Sequence, residues 1–116
     1  MSPSSRREHK RIDASISVKV KSPDGRRESS EKIRNISLGG IFIEMKDPLA
    51  FGTDIDLEFS LPVNPRLINC KGFVVWSTKE SPERGQGMKG IGVRLMDIGV
   101  QEMRTLNEFI EQELKG

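Results

Sequence analysis

The residues with the clearest capacity for chemistry stand at the start of the chain, in Arg6-Arg7-Glu8-His9-Lys10-Arg11. Arg7 and Arg11 are spaced R-x-x-x-R. A guanidinium is planar and permanently charged, so it can grip a phosphate bidentately, grip the O6/N7 edge of guanine, or stack on a purine face. The spacing alone is a weak signal, because a solvated basic tail produces it by chance. A second polar set lies at Asn35-Ile36-Ser37-Leu38-Gly39-Gly40. Asn35 and Ser37 are two apart and share one face of a strand. The two glycines permit a tight turn just beyond them. An amide and a hydroxyl beside a turn make a compact polar readout site. An Asx or Ser turn that only shapes the backbone is the competing reading.

Catalysis finds little support. His9 is the one histidine and sits in the charged N-terminal segment, without the fixed partner a general base needs. Cys70 is the one cysteine, so neither an intrachain disulfide nor a cysteine cage for a metal can form. Its place in a strand reads as a small buried apolar side chain. No His, Asp and Glu set has metal-ligand spacing. The expectation is a protein that is not an enzyme and needs no cofactor.

Charge supports a special role for the N-terminal segment. The net charge is +2. Residues 1–11 hold four Lys/Arg and one acid, and the rest of the chain has one more acid than base. The whole basic excess therefore sits in the first eleven residues, which are expected to form a flexible arm. The remainder, 12–116, is nearly neutral, which argues against a broad nucleic-acid surface. A nucleic-acid-binding barrel with a basic arm remains the rival from another class. The lack of Tyr and the single Trp count against it, since such barrels stack bases on exposed aromatics. No stretch approaches the roughly 20 apolar residues that span a bilayer. The start of the chain also lacks an apolar signal core. A soluble, cytoplasmic protein without membrane insertion is expected.

At 116 residues the chain fits one domain, and eleven Gly with six Pro indicate many turns. Ile16, Val18 and Val20 alternate with polar residues, as in a half-buried strand. Ser22-Pro23-Asp24-Gly25 is a turn, and a second strand runs to about Asn35. Short strands follow over 41–45, 54–60, 67–76 and 90–95, with Gly72 as a bulge or barrel bend and 81–88 as a polar loop. Met103, Leu106, Ile110 and Leu114 then recur three or four apart, an amphipathic helix over about 100–114 that caps the barrel. Six strands and one helix suggest a Greek-key or closed barrel.

The two polar sets in this order, R-x-x-x-R and then N-x-S-x-x-G, resemble the PilZ family. The likeness extends to Gly40-Ile41-Phe42-Ile43-Glu44, Leu61-Pro62, Gly72-Phe73-Val74-Val75-Trp76 and Gly90-Ile91-Gly92-Val93-Arg94-Leu95. It implies a mainly β fold, a six-stranded antiparallel barrel with a C-terminal helix, that binds cyclic di-GMP. Carried over by residue, it implies that Arg7 and Arg11 contact guanine edges and phosphates, that Asn35 and Ser37 hydrogen-bond a guanine, and that Gly40 holds the turn. Arg6, a basic residue just before the motif, implies two ligand molecules per chain. Trp76 stands where an aromatic can approach the ligand or simply pack in the core. Asn35 replaces the commoner Asp of the motif. It keeps an acceptor and adds a donor. A receptor of this kind signals to a downstream protein, which the residues do not name. An adaptor working only through protein contacts, without ligand, is the alternative within the family.

Overall fold

The computed structural model describes residues 11–37, 39–62 and 64–115. Arg6 and Arg7, and with them most of the expected arm, lie outside those residues. The strands are β1 (Ile12–Lys21), β2 (Glu28–Ser37), β3 (Gly40–Glu44), β4 (Asp54–Leu61), β5 (Asn64–Ser77) and β6 (Gly90–Met96), followed by helix α1 (Val100–Lys115). They form one closed antiparallel barrel in the order β1-β2-β3-β6-β5-β4, with β4 pairing back onto β1.

Period-two alternation fills the interior. Val18 and Val20 of β1, Ile55, Leu57 and Phe59 of β4, Ile68 and Val74 of β5, and Ile91 and Val93 of β6 all face one shared core. Burying each such side chain contributes roughly 1.5–3 kcal/mol. Leu106, Phe109 and Ile110 of α1 join the same core, and α1 packs on β1 and β5. The amphipathic spacing therefore serves barrel cover, as expected. Leu114 does not: it is 51% exposed, one turn beyond the last residue that reaches the barrel. The β1–β2 turn forms at Ser22–Gly25. The Ser22 hydroxyl donates to Asp24 Oδ1 at 2.6 Å, and Gly25 takes a φ of 76°. That hydroxyl and the Arg26 N–H hold the Asp24 carboxyl below the usual carboxylate range.

Several boundaries differ from expectation. β1 begins at Ile12 rather than Ile16, because an irregularity between Asp13 and Ile16 still lets Ile12 enter the core. β5 is longer than 67–76 and starts at Asn64. The loop over 81–88 contains a short 3₁₀ turn, Pro82–Gly85. Gly72 is not a bulge: its pairing with Ile55 and Leu95 is in register. The β5 bulge falls instead between Val74 and Trp76.

Cys70 is buried, and desolvation pushes its thiol pKa up to about 11, with Asp56 and Glu102 adding in the same direction. At pH 8 the native thiol should alkylate far more slowly than the same thiol in denaturant. Alkylation at equal rates in both conditions would contradict its burial. The folded pKa lies above the unfolded one, so this group's contribution to stability is complete below about pH 8.5. It is lost as pH rises toward 11.

Candidate functional site

Two one-residue irregularities decide which side chains reach the outer wall of the barrel. On β2, Ile33 points inward and pairs with Ile43, while Asn35 pairs with Phe42. Arg34 is the extra residue between them. Without it, Asn35 and Ser37 would share the inward parity of Ile33. With it, Ile36 enters the core and Asn35 and Ser37 turn to the outer wall. On β5, Val74 pairs with Val93 and Trp76 with Gly92, so Val75 is the extra residue. Without it, Trp76 would share the inward parity of Ile68, Cys70 and Val74. With it, the indole stands outside.

The register then assembles a row. Asn35 pairs with Phe42, Phe42 with Gly92, and Gly92 with Trp76, across β2, β3, β6 and β5. Phe42 is buried yet takes no part in the core cluster. Its cover is Trp76, stacked on it with ring centroids 5.4 Å apart and 13° between planes. The rings meet over Gly92. A Cβ at residue 92 would stand 2.1 Å from Trp76 Nε1. Gly92 has no positive φ, so alanine suits its backbone, and the nearest atoms its Cβ would meet all belong to the indole. Gly92→Ala should therefore displace Trp76. As the only tryptophan, Trp76 reports this directly by a shifted emission maximum. An unchanged emission spectrum would contradict the packing.

The turn at the end of β2 completes the site. The Ser37 hydroxyl accepts from the Gly39 N–H at 3.2 Å and donates to the Gly40 carbonyl at 3.2 Å. It therefore shapes the turn, and keeps one acceptor lone pair. A Cβ at Gly40 would lie 2.4 Å from the Val93 carbonyl oxygen, so only glycine lets the start of β3 approach β6 this closely. Among the described residues, no hydrogen bond takes the Asn35 amide. Arg11, immediately before β1, has its side chain at the same place.

A cleft of about 330 Å³ is lined by Arg11, Asn35, Ser37, Gly40, Phe42 and Trp76, among others. The five expected site residues that the structure describes thus meet at one place. Arg6 and Arg7 fall outside the described residues. Sequence reading missed Phe42 and Gly92. It also missed Arg84, whose guanidinium carbon lies over the Trp76 ring, 4.9 Å from its centroid. The signal for the β2 bulge was present: Ile33 and Ile36 are three apart, which breaks a strand's period of two.

A family model described as the PilZ domain matches residues 5–112. The chain belongs to the PilZ family. Solved structures agree on the PilZ fold. The inhibitor of motility MotI/DgrA of Bacillus subtilis superimposes with a TM-score of 0.71 at 24% identity, over 95% of this chain and 52% of that one. YcgR of Escherichia coli, in complex with c-di-GMP, gives 0.72 at 16% identity, over 95% and 46%. The PilZ domain of CeSA from a cellulose-synthesizing bacterium gives 0.58 at 18% identity, over 92% and 99%. This PilZ chain thus spans about half the length of MotI and YcgR. No curated protein matches it in sequence.

Proposed function

We propose that this PilZ protein is a cyclic di-GMP receptor, with the ligand held between the N-terminal arginines and the Asn35–Trp76 row. The observation that carries the reading is the convergence of Arg11, Asn35, Ser37, Gly40 and Trp76 on one cleft. Each offers something a guanine nucleotide needs. Arg11 supplies a fork for phosphate or for O6/N7. The Asn35 carboxamide can accept from a guanine N–H and donate to O6. Ser37 has a lone pair for one further N–H, and Trp76, half-buried, keeps exposed indole surface against which a base can pack. Gly40 leaves the turn backbone open to approach. YcgR, which shares the fold, was solved in complex with c-di-GMP.

Arg6 and Arg7 belong to the same proposal. The basic excess of residues 1–11 is neutralised by the dianionic ligand, which also contacts the barrel over 12–116. Charge-assisted hydrogen bonds to the arginines drive this binding. With Arg6 contributing, two ligand molecules bind per chain as a stacked pair. The reshaped surface then engages or releases a downstream protein in the cytoplasm. The chemistry is binding rather than catalysis. Among the described residues no group of His, Cys, Asp and Glu could hold a metal ion, and no helix is long and apolar enough to cross a membrane.

Trp76 provides the test. Titration with cyclic di-GMP should change its fluorescence saturably, in the micromolar range or below. Guanosine monophosphate at the same concentration should change it far less. Emission indifferent to saturating cyclic di-GMP would remove Trp76 from the site.

A further inference from the structure

Beyond the motif cleft, the outer wall carries a second one of about 390 Å³. It shares Arg11, Asn35, Phe42 and Trp76 with the first and adds Asp13, Arg34 and Arg84 among its lining residues. The two clefts thus meet at the Trp76 ring. Asp13 is the one carboxylate among the lining residues of the second, set against three arginines. Arg34 is already engaged, with its Nε 3.4 Å from Glu44 Oε1. Among the described residues, no ion pair takes Arg84.

Arg84 is also held firmly where it stands. The 3₁₀ turn Pro82–Gly85 hangs from the end of β5. The Ser81 N–H donates to the Ser77 carbonyl at 2.9 Å, and the Arg84 N–H to the Ser81 carbonyl at 3.1 Å. Downstream, the Met88 N–H donates to the Gly85 carbonyl at 3.0 Å, and the Gly90 N–H to Thr78 Oγ1 at 3.0 Å. Gly85, Ser77 and Thr78 are buried, so the turn is packed on the barrel and not a free loop. Its side chain lies over the same indole that the motif cleft uses. Ordering a long, exposed arginine costs side-chain entropy, and the stack on Trp76 meets part of that cost before any ligand arrives.

We propose that Arg84 is a further ligand-binding residue of this protein, which reads the edge of the guanine that occupies the second cleft. The inference rests on the cyclic di-GMP reading above. Trp76 is half-buried, and a base that packs against its exposed part presents its edge to the guanidinium over the same ring. A guanine edge offers O6 and N7, two acceptors that match the guanidinium fork. A phosphate accepts either a fork or a point charge, so lysine replaces arginine more fully there. Arg84 thus extends recognition beyond the motif residues to a position almost fifty residues downstream of Asn35.

Calorimetric titration of the wild type, Arg84→Ala and Arg84→Lys with cyclic di-GMP tests it, with the ligand-free thermal midpoint of each as a control on folding. Arg84→Ala should bind on the order of 10- to 100-fold more weakly with an unchanged midpoint. Arg84→Lys should recover only part of the loss, since an ammonium lacks the planar fork. A wild type that binds while Arg84→Ala binds within twofold of it overturns the role of Arg84. Full recovery in Arg84→Lys overturns the reading of a base edge. A wild type that gives no heat overturns the receptor function itself, and Arg84 with it.

Discussion

Arg11→Ala will weaken cyclic di-GMP binding by about 2–4 kcal/mol, on the order of 30- to 1,000-fold. Arg11 lines both clefts and forms no ion pair among the described residues. Its charge is thus available to the ligand. The ligand is a dianion, and a charge-assisted hydrogen bond is worth roughly twice a neutral one. Truncation also leaves a phosphate or guanine acceptor facing the cleft without its partner, which adds the cost of an unmet polar group. Arg11→Lys should recover only part of the loss, since an ammonium lacks the planar fork. Arg7→Ala is expected to behave alike. The variants should be compared at one ionic strength, because exposed charges are screened over about 8–10 Å at physiological salt. A loss below twofold for Arg11→Ala would contradict the site.

The second large effect concerns the fold that holds the row in place. Phe59→Ala should destabilise the protein by about 3–5 kcal/mol. Phe59 is among the largest fully buried side chains, at 2% exposure. It pairs with Val18 of β1 and Ile68 of β5, so it spans the seam where β4 closes the barrel. Its removal leaves a cavity that three strands cannot collapse into without breaking register. A domain of this size has only about 5–15 kcal/mol in total. Urea unfolding followed by far-ultraviolet circular dichroism should show a much lower midpoint with little change in slope. A shift worth less than 1 kcal/mol would mean that the β1–β4 seam contributes little.

Much of this architecture was legible in the residues, for identifiable reasons. Ile16, Val18 and Val20, and Ile55, Leu57 and Phe59, alternate cleanly because each strand buries one face. Leu106 and Ile110 kept helical spacing because α1 covers the same core. Asn35 and Ser37 read correctly as neighbours on one face. Whether that face points inward or outward could not be read, because it depends on Arg34, an extra residue whose effect is felt only through pairing with Phe42. Trp76 stayed undecided between core and cleft for the same reason: Val75 flips it, and Val74-Val75-Trp76 is an unbroken apolar run without alternation to betray the bulge. Gly72 drew attention as a glycine in a strand, while the irregularity fell three residues later. Leu114 kept the helical period past the point where the barrel ends. Arg84 carried no sequence signal, since it reaches the site through a turn rather than a strand.

The most direct measurement is an isothermal titration of the wild-type protein with cyclic di-GMP. Saturable heat at micromolar affinity or tighter, with two ligands per chain, is the predicted result. One ligand per chain would refute the role given to Arg6 and leave the receptor intact. No heat at any ligand concentration up to the millimolar range would contradict the central claim that this PilZ barrel binds the dinucleotide.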